Sequence, residues 1–171
     1  MTRGGNWYDF WTIMAYVFIS PVMAYGQSDQ IIVDGGLGIL NTEGSGLSQV
    51  KFAKFGLQED LWGALKQRFN AGVWLDSRGD GHSSSTFSGY QLGFEVSNEV
   101  LQASIFSGPN LISSPDVALG GMFQMNESIF LGIKDSDCNS IGIVYNHFSS
   151  AGIEQPNLGK DFLGLEIKFP F

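Results

Sequence analysis

The chain has 171 residues, the length of about one domain. Charged residues reach only 15%, while glycines number 23 and aromatics make up 13%, which excludes a disordered chain or a coiled coil and points to short alternating strands. The net charge of -8 with no basic run argues against a nucleic-acid partner, and the single Cys138, with no CxxC or Cys/His cluster, argues against an internal disulfide or structural zinc.

Residues 10–24 read FWTIMAYVFISPVMA and carry no charge. Arg3 precedes this run, and Ala24-Tyr25-Gly26 supplies the small residues that a signal peptidase needs. The run is short for a bilayer span of about 20 residues. The expectation is a signal peptide over 1–26, with an uncleaved anchor as the alternative. No apolar run long enough for a transmembrane helix follows.

Residues 27–171 form a series of alternating segments separated by Gly, Ser, Asn and Asp clusters, the pattern of strands and turns. The expected segments are 30–41, 49–58, 64–76, 86–97, 99–107, 117–134, 140–149 and 161–171. Trp62 and Trp74 are expected as interfacial belt residues or wall packing. His82, in the Asp80–Ser85 stretch, reads as a loop residue. Asn126-Glu127-Ser128 could turn a hairpin and split 117–134 into two strands. An even strand count, with both termini on one side, favours a single long and kinked strand instead. Glu127 then falls on the lipid-facing parity. The tight connection Ser97-Asn98-Glu99 falls on the inner side. The longer loops 77–85, 108–116 and 150–160 fall outside, where barrels carry them.

The last segment shows the alternation most clearly. Leu163, Leu165, Ile167, Phe169 and Phe171 share one face, while Glu166 and Lys168 share the other. An alternating apolar tail that ends on phenylalanine resembles the C-terminal strand of bacterial outer-membrane barrels. In a barrel of that kind the apolar face meets lipid and Glu166 and Lys168 point inward. The expected fold is therefore all-β, an eight-stranded antiparallel transmembrane β-barrel over residues 27–171. The chain allows about 18 residues per strand and turn, ample for the 9–11 that a span needs.

In the segment 140–149, Tyr145, His147 and Ser149 share a face with Ile141 and Ile143. A base two residues from a nucleophile, on a lipid-facing strand end, is costly for a mere wall. A base of this kind needs an orienting acid. Asp161 opens the next strand with the parity of Leu163 and Leu165. A hairpin of the two strands would bring Asp161 near His147 and Ser149, provided that no bulge shifts the register. Glu154 is the competing carboxylate.

The stretch Asn146-His147-Phe148-Ser149-Ser150-Ala151-Gly152-Ile153, followed by Gln155-Pro156-Asn157, resembles the signature of the PagL family of outer-membrane lipid A 3-O-deacylases. Gly120-Gly121-Met122-Phe123-Gln124 and the ending at Phe171 are similar to that family as well. The resemblance implies His147 as general base, Ser149 as nucleophile and Asp161 as the triad acid. It also implies Asn157 in the oxyanion hole, with backbone N–H groups near Ala151 and Gly152. Two positions depart from the family pattern: Asp161 stands where the family has glutamate, and Ser150 where it has asparagine. The implied partners are lipopolysaccharide as substrate and the surrounding outer-membrane lipids, without metal or cofactor, and a homodimer is left open. Lys160 could meet a lipid A phosphate, although a solvated loop lysine is the plainer expectation. The rival readings are a non-catalytic small outer-membrane barrel and an outer-membrane esterase or phospholipase of different substrate.

Overall fold

The computed structural model describes residues 29–40, 50–77, 84–114, 119–155 and 157–171. The expectations for the N-terminal 26 residues and for His82 lie outside them. Eight strands follow one another: β1 (Gln30–Leu40), β2 (Val50–Trp62), β3 (Leu65–Asp76), β4 (Ser85–Ser97), β5 (Leu101–Ile112), β6 (Phe123–Lys134), β7 (Ser140–Ser149) and β8 (Lys160–Pro170). Each pairs antiparallel with the next, and β8 returns to β1 to close a barrel. The Phe171 N–H donates to Asp29 O at 3.0 Å, so the two ends of the barrel chain meet.

Three boundaries differ from expectation by four residues or more, and the first is that β2 runs on to Trp62 rather than 58. β5 runs on to Ile112, through Gly108 and Pro109, because its partner β6 continues alongside as far as Phe123. Strand β6 starts at Phe123 rather than 117. Asn126, Glu127 and Ser128 lie inside it, paired on both sides, and make no turn.

Alternation sorts the side chains. Outward positions such as Phe55, Phe94, Ile105, Leu131, Ile143 and Leu165 are all at least half exposed. Large apolar groups left in the open around a closed barrel are what a lipid-facing wall requires. The inward residues divide the lumen into two halves. Near the end bearing the long loops, Phe52, Trp74, Phe87, Phe148 and Phe162 pack together with Ile112 and Leu119. Trp74 is therefore a lumen residue, fully buried, whereas Trp62 lies exposed at the opposite, short-turn end. Below the aromatic cluster the lumen is charged. Lys54 Nζ lies 3.1 Å from Asp34, Arg68 lies 3.2 Å from Glu166, and Lys168 lies 2.7 Å from Glu95. Opposite charges neutralise one another where burial would otherwise make each expensive.

The short turn from Asp135 to Asn139 is held by Asp135, whose carboxylate accepts from the Asn139 side chain and from the Asp137 and Asn139 N–H groups. The Asn139 amide holds that carboxyl below its usual range. Cys138 takes a left-handed φ of 65° in this turn.

Candidate active site

The ladder between β7 and β8 runs without a bulge and sets His147 directly opposite Asp161. Strand β7 is anchored from inside just beneath this pair. Asn146 faces the lumen, accepts from Lys54 Nζ at 2.8 Å and donates to Asp34 Oδ2 at 2.9 Å. From β6, the Asn126 amide donates to the His147 carbonyl at 3.2 Å. Phe148 and Phe162, the inward neighbours of His147 and Asp161, meet edge to face at 5.9 Å. With Asn146 and Phe148 locked inward, the pleat sends His147 and Ser149 outward.

His147 Nδ1 lies 2.8 Å from Asp161 Oδ1, and both side chains are partly exposed on the outer wall. A carboxylate only accepts, so the neutral imidazole carries its proton on Nδ1 and leaves Nε2 as an acceptor. The Tyr145 hydroxyl donates to the same Asp161 oxygen. Gly159 closes the other edge of the ring: a Cβ there would lie 2.8 Å from His147 Cε1 and 3.5 Å from Nε2. Gly159 also holds a φ of +76°, which only glycine adopts freely. Glu127, exposed on β6, is the register partner of His147 on its other side.

Ser149 sits two residues beyond His147 on the same face, opposite Met125. Among the described residues no hydrogen bond joins Ser149 to His147. The loop that follows is shaped by Ser150, which is fully buried. Its N–H donates to Asn157 Oδ1 at 2.8 Å, and its hydroxyl donates to the Glu154 carbonyl at 2.8 Å. Ser150 O accepts from the Ile153 N–H at 3.0 Å, while Ala151 and Gly152 take φ values of 52° and 78°. Two consecutive left-handed residues make a primed turn that projects both from the rim. Asn157 thus spends its carbonyl on the backbone beside Ser149 and keeps its NH₂ as a donor. Gly152 lies exposed in the turn, and nothing crowds it within 4 Å.

The structure thus brings His147 and Asp161 into contact, places Ser149 on their face and holds Asn157 against the residue after it. Glu154, the competing acid, sets its carboxylate over Gly121, and among the described residues no hydrogen bond or ion pair joins it to His147. Lys160 departs from the solvated lysine expected there. It is buried, ion-paired to Asp76 at 3.1 Å and set 5.2 Å above the Trp74 ring, because its parity on β8 faces the lumen. Tyr145 and Gly159 were not foreseen as site residues. The parity of Tyr145 with His147 was visible, but its reach across to Asp161 depends on the register.

A sequence profile for the family described as lipid A 3-O-deacylase (PagL) matches residues 51–170. A curated relative from Bordetella bronchiseptica, named lipid A deacylase PagL, is 39% identical over 69 residues, which is 40% of this chain. The chain spans 37% of that relative's length. The crystal structure of the outer membrane enzyme PagL has the same fold, with a TM-score of 0.62 at 22% identity over 83% of this chain and 99% of that one.

Proposed function

The chain belongs to the PagL family of lipid A 3-O-deacylases, and from that membership we propose that this barrel lies in an outer membrane and hydrolyses the 3-O-linked 3-hydroxyacyl ester of lipid A. The observation that carries this reading is the His147–Asp161 pair on the lipid-facing wall, on the same outward face as Ser149. An ester at the headgroup boundary of a lipid can meet such a site without leaving the membrane.

In the proposed reaction His147 Nε2 accepts the Ser149 hydroxyl proton as Oγ attacks the ester carbonyl. Asp161 keeps the ring in the required tautomer and offsets the imidazolium charge that forms. The Asn157 NH₂ group and the Gly152 N–H are the donors to the oxyanion, and one such donor is typically worth about 10²–10³ in rate. Collapse breaks the carbon–oxygen bond to lipid A, whose departing oxygen takes the proton from His147. A water molecule, deprotonated by His147, then attacks the acyl-serine, and His147 returns the proton to Ser149 Oγ as the 3-hydroxy fatty acid leaves.

The test is mass spectrometry of lipid A from a Gram-negative host that expresses the chain or its Ser149→Ala variant. Loss of one 3-hydroxyacyl group is expected with the intact serine and not with alanine. Unchanged lipid A, with folded barrel present in the outer membrane, would overturn the proposal. Acyl loss that persists in Ser149→Ala would overturn the serine mechanism alone.

A further inference from the structure

His147 has a carboxylate on each neighbouring strand: Asp161 is its partner on β8 and Glu127 its partner on β6. Only the first makes a hydrogen bond to it among the described residues. Tyr145, one pleat repeat before His147, adds a further titratable group on the same outward face. Its own partner across the ladder is Leu163, so its phenol reaches diagonally past one residue pair to the Asp161 carboxylate. There it donates to Oδ1, the atom that also faces His147 Nδ1.

We propose that Tyr145 is a positioning residue for the deacylation reaction, pinning Asp161 Oδ1 against His147 so that the β8 carboxylate, and not Glu127, orients the base. The inference rests on the lipid A deacylase reading. Aspartate is a short acid whose carboxylate torsion is broad and roughly two-fold. Its reach from β8 to β7 allows one oxygen to meet the imidazole, but nothing in its own chain selects that oxygen. A second donor on Oδ1 does so and fixes the carboxylate plane. In the poorly hydrated setting of a lipid-facing wall, few waters compete for that bond and its loss is felt.

The experiment compares wild type, Tyr145→Phe, Asp161→Asn, their double variant and Glu127→Gln, all purified as folded barrels in detergent micelles. Retention of fold is read from the heat-modifiable gel mobility that closed barrels show. Phenylalanine removes one hydroxyl and keeps the ring. Expected is a fall in kcat of about 10- to 100-fold for Tyr145→Phe, the scale on which small misplacements act, with KM within about twofold. Added to Asp161→Asn, the same substitution is expected to cost nothing further, because Tyr145 acts through that carboxylate. Glu127→Gln is expected to stay within about threefold of wild type.

A second readout needs no activity. The His147 Nδ1 proton in ¹⁵N-histidine-labelled protein is expected to be slow to exchange in wild type and to broaden in Tyr145→Phe and Asp161→Asn. There are only two histidines to assign. Full kcat and an unchanged Nδ1 proton in Tyr145→Phe would overturn the proposal while leaving the deacylase reading intact. Additive losses in the double variant would overturn it too. Absence of lipid A deacylation in wild type would instead sink the functional reading, and the Nδ1 proton would still decide whether Tyr145 holds the pair together.

Discussion

At the residue scale, the His147 ring is held by contacts of different kinds. Asp161 meets the His147 ring through its nitrogen, Tyr145 steadies Asp161, and Gly159 lies flat against the far edge. The last of these is steric, so a methyl group is a sharp probe of it. Gly159→Ala adds a carbon 2.8 Å from His147 Cε1 and 3.2 Å from the Phe148 carbonyl, at a φ that disfavours any side chain. The ring must move. Activity on lipid A is expected to fall about 100-fold, while folding, read by heat-modifiable mobility, survives. Wild-type activity in this variant would show that the ring position tolerates displacement. The Gly159 contact was not legible from residue types. Gly159 reads as one more loop glycine until the register places it over an imidazole.

At the element scale, the site is the product of one hairpin and the loops beside it. Strand β7 alternates with few exceptions: Asn146 and Phe148 face the lumen, and Tyr145, His147 and Ser149 face out. Its inward members fix the strand's rotation, through ion-paired Lys54 and Asp34 at Asn146 and through aromatic packing at Phe148. Parity therefore predicted the outward cluster, and the unbroken β7–β8 ladder turned parity into contact. The adjoining loop is braced by its neighbour. Glu154 occupies the space over Gly121, where an added Cβ would lie 1.0 Å from its carboxylate. Gly121→Ala must expel that carboxylate, the far end of a flexible side chain, while the Glu154 carbonyl is free to keep the Ser150 hydroxyl. The expected outcome is unchanged hydrogen exchange across 150–157 and activity within about twofold of wild type, since a flexible side-chain end can move where backbone cannot. Faster exchange there would show that the Glu154 carboxylate, and not Ser150 and Asn157 alone, orders the loop.

At the scale of the whole molecule, the barrel stacks an aromatic lumen against a charged one. The aromatic half lies behind the β7–β8 hairpin and backs it with packed rings. Phe52 and Phe162 stack at 4.7 Å, and Phe87 and Phe148 meet at 5.0 Å. The charged half closes its own account through Glu166, which faces Arg68, Lys54 and Lys168 at 3.2 to 4.0 Å. Glu166→Ala takes from buried Arg68 its carboxylate partner, while Lys54 keeps Asp34 and Lys168 keeps Glu95. Removing one partner of a buried pair costs about 3–5 kcal/mol, so a large drop in denaturant midpoint is expected for the barrel in vesicles. A shift of less than about 1 kcal/mol would mean that water already fills this half of the lumen and screens the cations.

The sequence by itself determined the strand count, the lipid-facing and lumen-facing faces, and the candidacy of His147, Ser149 and Asp161, because side-chain parity along a strand is a local property with a fixed period of two. It also carried the family, through the Asn146–Ile153 stretch. Strand ends were less legible: β5 and β6 are bounded by how far each finds a partner, which is a property of the pair. Only the tertiary structure decided the rest. The diagonal bond of Tyr145 to Asp161, the pressure of Gly159 on His147 and the burial of Lys160 beside Asp76 all join residues on different strands or loops. Their distances follow from register and closure, and no local pattern encodes those.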